Sequence, residues 1–205
     1  MTGAPLHHPS AETLVGYAAG TLRAGFDFVV AAHVQGCRTC QNDIAALESV
    51  GGEALRAVQA TDLSSRALDH ALSRLDQPAP PSAPPRTISD VLAAAKRRWV
   101  APGVWVAKVA TPHDPNDRVY MLGAAPGAAT ARHSHQGVEF TQILSGQLSD
   151  DDAVFNAGDF AENDDAHVHQ PRSTGDAACV CLFATNGRLR PAGWIGRIAF
   201  AIADV

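Results

Sequence analysis

Two groups of side chains in this sequence have the types and the spacing to hold a metal ion. The first is His33-Val-Gln-Gly-Cys37-Arg-Thr-Cys40, an H-x3-C-x2-C pattern. On a helix, or at the corner between two helices, offsets of four and three bring such side chains together. Two thiolates and an imidazole are soft donors that suit Zn²⁺, and a structural zinc site takes four donors in a tetrahedron. The fourth must come from elsewhere in the chain, and His7 and His8 are the natural candidates. The second group is His133-Ser-His135-Gln-Gly-Val-Glu139. Histidines at i and i+2 share one face of a strand, and a glutamate beyond the turn can complete a pocket on that side. Bulk usage points the same way. The four cysteines form two close pairs, Cys37/Cys40 and Cys179/Cys181, unlike a secreted disulfide framework, and seven of the nine histidines fall into two clusters.

Other reactive types are set aside. Dithiol redox pairs of C-x2-C spacing follow a β-strand, and none is predicted before Cys37. Cys179 and Cys181 share a strand face and are expected as small core-filling residues. His70 and His113 are expected to face solvent. Asp150-Asp151-Asp152 reads as a solvated hairpin turn, because the spacing of a Ca²⁺ loop is missing. Lys96-Arg97-Arg98 beside Trp99 is too short a basic run to argue for nucleic acid.

The elements that must position these groups fall into two parts. Residues 78–85 read Pro-Ala-Pro-Pro-Ser-Ala-Pro-Pro, a run with few backbone donors that favours an extended spacer. Before it, residues 1–77 read as four short helices. Ser10 is placed to cap the first, which carries Leu14, Val15, Tyr17 and Ala18 and ends at Gly20. The second covers about Phe26 to His33. The third starts near Cys37 and carries Ile44, Leu47, Leu55 and Val58, with a possible kink at Gly51-Gly52. Ser64 or Ser65 caps a fourth, bearing Leu68, Ala71, Leu72 and Leu75. So small a core usually needs a metal, a disulfide or a partner. After the spacer the period changes to two. Segments 104–109, 118–122, 139–144 and 177–183 read as strands, separated by Gly- and Asp-rich turns, which predicts a sandwich or barrel over residues 86–205. The fold class expected is α+β in two domains.

Each part resembles a known family. His8-Pro-Ser-Ala-Glu-Thr-Leu-Val-Gly-Tyr17-Ala-Ala-Gly20, followed by His33-x3-Cys37-x2-Cys40, resembles the zinc-binding anti-sigma domain over residues 6–77. The Tyr-Ala-Ala-Gly stretch nine residues after His8 fits its ChrR-type subgroup. This resemblance implies a four-helix domain holding zinc through His8, His33, Cys37 and Cys40, with His8 rather than His7 as the ligand. It also implies a partner, an extracytoplasmic-function sigma factor kept from RNA polymerase. The stretch from Gly127 to Gly146 reads G-x5-H-x-H-x3-E-x6-G and is similar to the first motif of the cupin family, whose members are small β-barrels. The second cupin motif is looser here: Gly158 is kept, while Asp164 and Ala166 stand where Pro and Gly are usual. His169, eleven residues after Gly158, falls at the fourth ligand position, with His167 as runner-up. The cupin resemblance therefore implies a site of His133, His135, Glu139 and His169 for zinc or another divalent transition metal.

Composition narrows the function further. Hydrophobic residues make up 46% of the chain, enough for a real core, and the net charge is −5. That balance argues against a broad electrostatic grip on nucleic acid or an anionic membrane. No run of 18 apolar residues exists, and Met1 to His8 has no basic and apolar leader pattern, so a soluble cytoplasmic protein is expected. The combined expectation is a regulator and not an enzyme. Its front domain binds a sigma factor, and its barrel governs release under oxidative stress, with singlet oxygen or organic hydroperoxide as the signal the resemblance implies. The alternative is a metal-dependent cupin enzyme, a dioxygenase or isomerase, with an accessory helical domain.

Overall fold

The computed structural model describes residues 3–75, 87–110, 117–151, 153–165, 168–187 and 189–192. The proline-rich run 78–85, His113 and His167 lie outside the described residues. The first part is helical, as its period demands. Helix α1 (Ala11–Ala18) starts at Ser10, whose hydroxyl accepts a hydrogen bond from the Thr13 N–H at 3.2 Å. Helices α2 (Ala24–Gly36) and α3 (Arg38–Arg56) meet at Cys37, which is extended at φ −109° and ψ 105° and both ends α2 and opens α3. Helix α3 runs unbroken through Gly51-Gly52, where the sequence allowed a kink. Helix α4 (Ala67–Leu75) follows Ser64, whose carbonyl accepts from the Ala67 N–H. A fifth helix, α5 (Ile88–Ala94), was not anticipated. It forms because Thr87 and Asp90 build a reciprocal capping box that satisfies two orphan N–H groups.

The second part is β-rich. Its strands are β1 (Arg98–Ala101), β2 (Val104–Lys108), β3 (Arg118–Ala124), β4 (His133–His135), β5 (Glu139–Ser145), β6 (Gln147–Asp150), β7 (Ala153–Asn156), β8 (Phe160–Asn163), β9 (Val168–His169), β10 (Arg172–Thr174), β11 (Cys179–Thr185) and β12 (Leu189–Pro191). Among the described residues they form a six-stranded sheet in the order β1-β2-β3-β11-β5-β8 and two three-stranded sheets, β10-β6-β7 and β12-β4-β9. Of the short basic run, Arg97 is spent structurally, with its guanidinium 4.4 Å over the Trp105 ring.

Strands β3, β5 and β11 are buried on both faces, and the reason lies in α2. One face of the sheet, through Val119, Met121, Phe140, Leu182 and Ala184, shares a core with Phe26, Val29 and Val30 of α2. Phe26 meets Phe140 edge to face, with centroids 4.7 Å apart. The other face carries Tyr120, Ile143, Cys179, Cys181 and Phe183 into a second cluster. Burying each large α2 side chain contributes about 1.5–3 kcal/mol. Helices α1 and α3 share only a small cluster, Leu14, Cys37, Cys40 and Ile44.

Candidate metal centres

The front centre is built at the α2–α3 corner. His33 lies in the last turn of α2, Cys37 at the break and Cys40 in the first turn of α3, so the helix geometry converges the three. Pro9 disfavours helix for the residue before it, which keeps His8 outside α1 and able to reach the corner. The His8 Nδ1 is 3.3 Å from the Cys37 sulfur and 3.5 Å from the Cys40 sulfur, and the His33 Nε2 is 3.4 Å from the Cys40 sulfur. One ligand atom from each of the four residues lies within 4.8 Å of all the others. A zinc tetrahedron with Zn–S near 2.3 Å and Zn–N near 2.0–2.1 Å has edges of about 3.3–3.8 Å, so this donor set fits the ion. His7 points elsewhere, with its Nδ1 3.2 Å from the Asp159 carboxylate.

The electrostatics suit a cation. Burial pushes the Cys40 thiol up to about 12, helped by the neighbouring Cys37 thiol. Burial lowers the His33 pKa, more than the Gln142 hydrogen bond raises it, so the imidazole stays neutral and able to donate a lone pair. A bound dication reverses the thiol penalty, because the thiolate is then the favoured form.

The barrel centre is built from sheet register. His133 and His135 lie on one face of β4, and His133 stands opposite His169 on the adjacent β9. The three side chains are buried and form one cluster. The His135 and His169 Nε2 atoms are 2.7 Å apart. Two of the rings are oriented by their other nitrogens: His133 Nδ1 sits 2.8 Å from the Ala131 carbonyl, and His169 Nδ1 sits 2.6 Å from an Asp150 carboxylate oxygen. Such partners hold a histidine for metal binding. Glu139 borders the cluster, with Oε2 3.5 Å from His135 Nδ1 and accepting from the Tyr120 hydroxyl at 3.4 Å. Burial raises its pKa from 4.5 to about 8. Gly137 makes the turn between His135 and Glu139 at φ +107°, and a side chain there would strike Asn186, whose Oδ1 accepts from the Val138 N–H. The three imidazoles fit a divalent transition metal, and Glu139, expected as the fourth donor, stands beside the group of atoms that lie within 4.8 Å of one another rather than in it.

Sequence reasoning missed Asp150. It was expected in a solvated hairpin turn, and the β6–β7 turn is there, with Asp151 at φ +46°. Yet Asp150 itself is the last residue of β6 and is buried against His169. Its alternation with buried Leu148 was the available signal. Cys179 and Cys181 are buried core residues, as expected, with their sulfurs 3.5 Å apart. They line a cavity of about 40 Å³ together with His133, Glu139, Tyr120 and Phe183. Arg132, the cationic side chain nearest in sequence, is exposed.

The chain is similar to known proteins over most of its length. Residues 89–189 match the family described as the ChrR cupin-like domain. The chain is 33% identical to the anti-sigma-E factor ChrR of Cereibacter sphaeroides over 200 residues, covering 90% of this chain and 91% of that protein. It is similar to the crystal structure of Rhodobacter sphaeroides SigE in complex with the anti-sigma ChrR, with a TM-score of 0.77 and 32% identity, covering 89% of this chain and 100% of that chain.

Proposed function

The chain belongs to the ChrR cupin-like family, and on that premise we propose that it is an anti-sigma factor that sequesters an extracytoplasmic-function sigma factor. The observation that carries this reading is an apolar helix face left uncovered by the described residues. Leu68, Leu72 and Leu75 recur along one side of α4 and are 68%, 51% and 79% exposed. Val50, Leu55, Val58 and Leu63 extend exposed apolar surface through the end of α3 and the connection that follows. A helix patterned this way is stabilised by a partner that covers it.

His8, His33, Cys37 and Cys40 hold the N-terminal segment, α2 and α3 together, and zinc bound among them would cross-link three segments that share only a small apolar cluster. In the barrel, His133, His135, Glu139 and His169 would hold zinc or another divalent metal, and this half governs release under oxidative stress. The cavity of about 40 Å³ beside these residues is far below the ~300–1,000 Å³ of small-molecule sites, which supports a regulator over a dioxygenase or isomerase. We place the protein in the cytoplasm, where its partner meets RNA polymerase. No helix among the described residues is long and apolar enough to cross a membrane, and the four cysteines are free thiols.

The test is capture of the tagged full chain from native lysate, beside a Leu68→Asp/Leu72→Asp variant. A near-stoichiometric sigma factor on the parent and its loss from the variant are expected. Sigma-free eluates from both overturn the reading.

A further inference from the structure

The residues of the front centre all come from the first 40 positions, yet two of them are held by the barrel. The His33 Nδ1 is 2.9 Å from Gln142 Oε1, and both side chains are buried. Gln142 is fixed in turn, because its Nε2 donates to the Ile143 carbonyl at 3.0 Å. That leaves Oε1 as the amide atom facing the imidazole. An amide oxygen carries no proton, so His33 must carry its proton on Nδ1 and keep a lone pair on Nε2. Nε2 is the atom 3.4 Å from the Cys40 sulfur, facing the other three donors.

The N-terminal segment is anchored from the same side. Asp159, in the β7–β8 turn, accepts from the Leu6 N–H at 2.6 Å and the His7 N–H at 3.1 Å. The Phe160 N–H donates to the His7 carbonyl at 3.1 Å, which secures the backbone immediately before His8. Gln142 also stands three residues from Glu139 on β5. Odd offsets alternate faces on a strand, so β5 presents Glu139 to the barrel histidines and Gln142 to α2. One strand touches both centres.

We propose that Gln142 is a positioning residue of the front centre: from the barrel, it selects the tautomer and ring orientation of His33 and so sets how tightly the four-residue site holds its metal. This rests on the reading that His8, His33, Cys37 and Cys40 form a metal site. Hydrogen-bonded partners of ligating histidines are typically worth about 10–100-fold in metal affinity. The front centre thus takes part of its order from the barrel, and a disturbance of β5 reaches it through the Gln142 hydrogen bond.

The experiment uses the full-length protein and its Gln142→Leu and Gln142→Glu variants. Co²⁺ binding is read by the sulfur-to-cobalt charge-transfer band, which the barrel set of three imidazoles and a carboxylate cannot produce. Zn²⁺ affinity is then taken by competition with a chromophoric chelator. Gln142→Leu is expected to weaken the thiolate site about 10–100-fold and leave the second metal equivalent unchanged. Gln142→Glu, which keeps an acceptor facing Nδ1, is expected to restore affinity to within a few-fold. Imidazole ¹⁵N spectra of the parent protein without metal should show His33 protonated on Nδ1, a readout that does not depend on any variant folding. A parent protein without the charge-transfer band refutes the four-residue metal site itself. With that band present, equal affinity in the parent and Gln142→Leu, or His33 protonated on Nε2, overturns the role of Gln142.

Discussion

The two centres answer the same problem, holding several donors around one point, with opposite means. In the front centre the donors come from an extended segment, a helix end, a helix break and a helix start, and the apolar cluster shared by α1 and α3 is small. Such a corner has little besides the metal and the barrel contacts to keep it closed. In the barrel centre the histidines are set by the pairing of β4 with β9, and Glu139 by β5, which is bonded on both sides within the sheet. Sheet register holds those side chains in place with or without an ion. A metal bound in the front centre would thus act as a structural cross-link, whereas the barrel histidines are set by the sheet itself. That asymmetry suits the proposed division, in which the front half grips a partner and the rear half regulates the grip.

The largest effect should come from breaking the cross-link. Cys37→Ala with Cys40→Ala is expected to lose one metal equivalent and cost several kcal/mol or more in the front half, with α1 and α3 losing amide protection. Helix α2 should stay protected, because Phe26, Val29 and Val30 are seated on the sheet. Hydrogen exchange on the double variant checks this, and loss of protection in α2 would mean that the metal, not the sheet, holds it. Next in size, Phe26→Ala should cost about 3–5 kcal/mol. Since its neighbours belong to both halves, both should be destabilised in one transition, as denaturant titrations followed by helix and barrel probes would report.

Smaller changes sharpen the contrast at the barrel centre. Asp150→Asn weakens the acceptor that orients His169 and should lower barrel metal affinity about 10–100-fold, leaving the thiolate site alone. Competition titrations on metal-stripped protein measure both at once. The last test is a pH slope. Glu139 has its pKa raised from 4.5 to about 8 in the fold, so the folded state binds a proton that the unfolded state has released. Stability of the metal-free protein should therefore be fullest below pH 4.5 and decline as pH rises toward 8. Glu139→Gln should remove that decline, and a barrel stability curve that is unchanged by the substitution would contradict it.

Ligand types and spacings within short spans were legible directly. His33, Cys37 and Cys40 lie within eight residues and His133 and His135 within three, so local helix and strand geometry was enough to bring each set together, with Glu139 bordering the second. The change of period after the proline-rich run marked the helical and β-rich parts for the same reason, since amphipathic period is a local property. The capping box that starts α5 was equally local, and it was overlooked.

What no local pattern could reveal was which distant side chain completes each site. Gln142 reaches His33 across 109 positions, and Asp159 reaches Leu6 across 153. A glutamine in an apolar strand and an aspartate after a glycine turn look ordinary in sequence. Their roles exist because α2 packs on the outer face of β5 and the N-terminal segment crosses the β7–β8 turn. Asp150 is the same case at shorter range, an acid in an acidic turn whose burial depends on where β9 places His169. Residue chemistry and short-range geometry nominate the donors, but long-range packing, driven by burial of the α2 face, selects the groups that orient them.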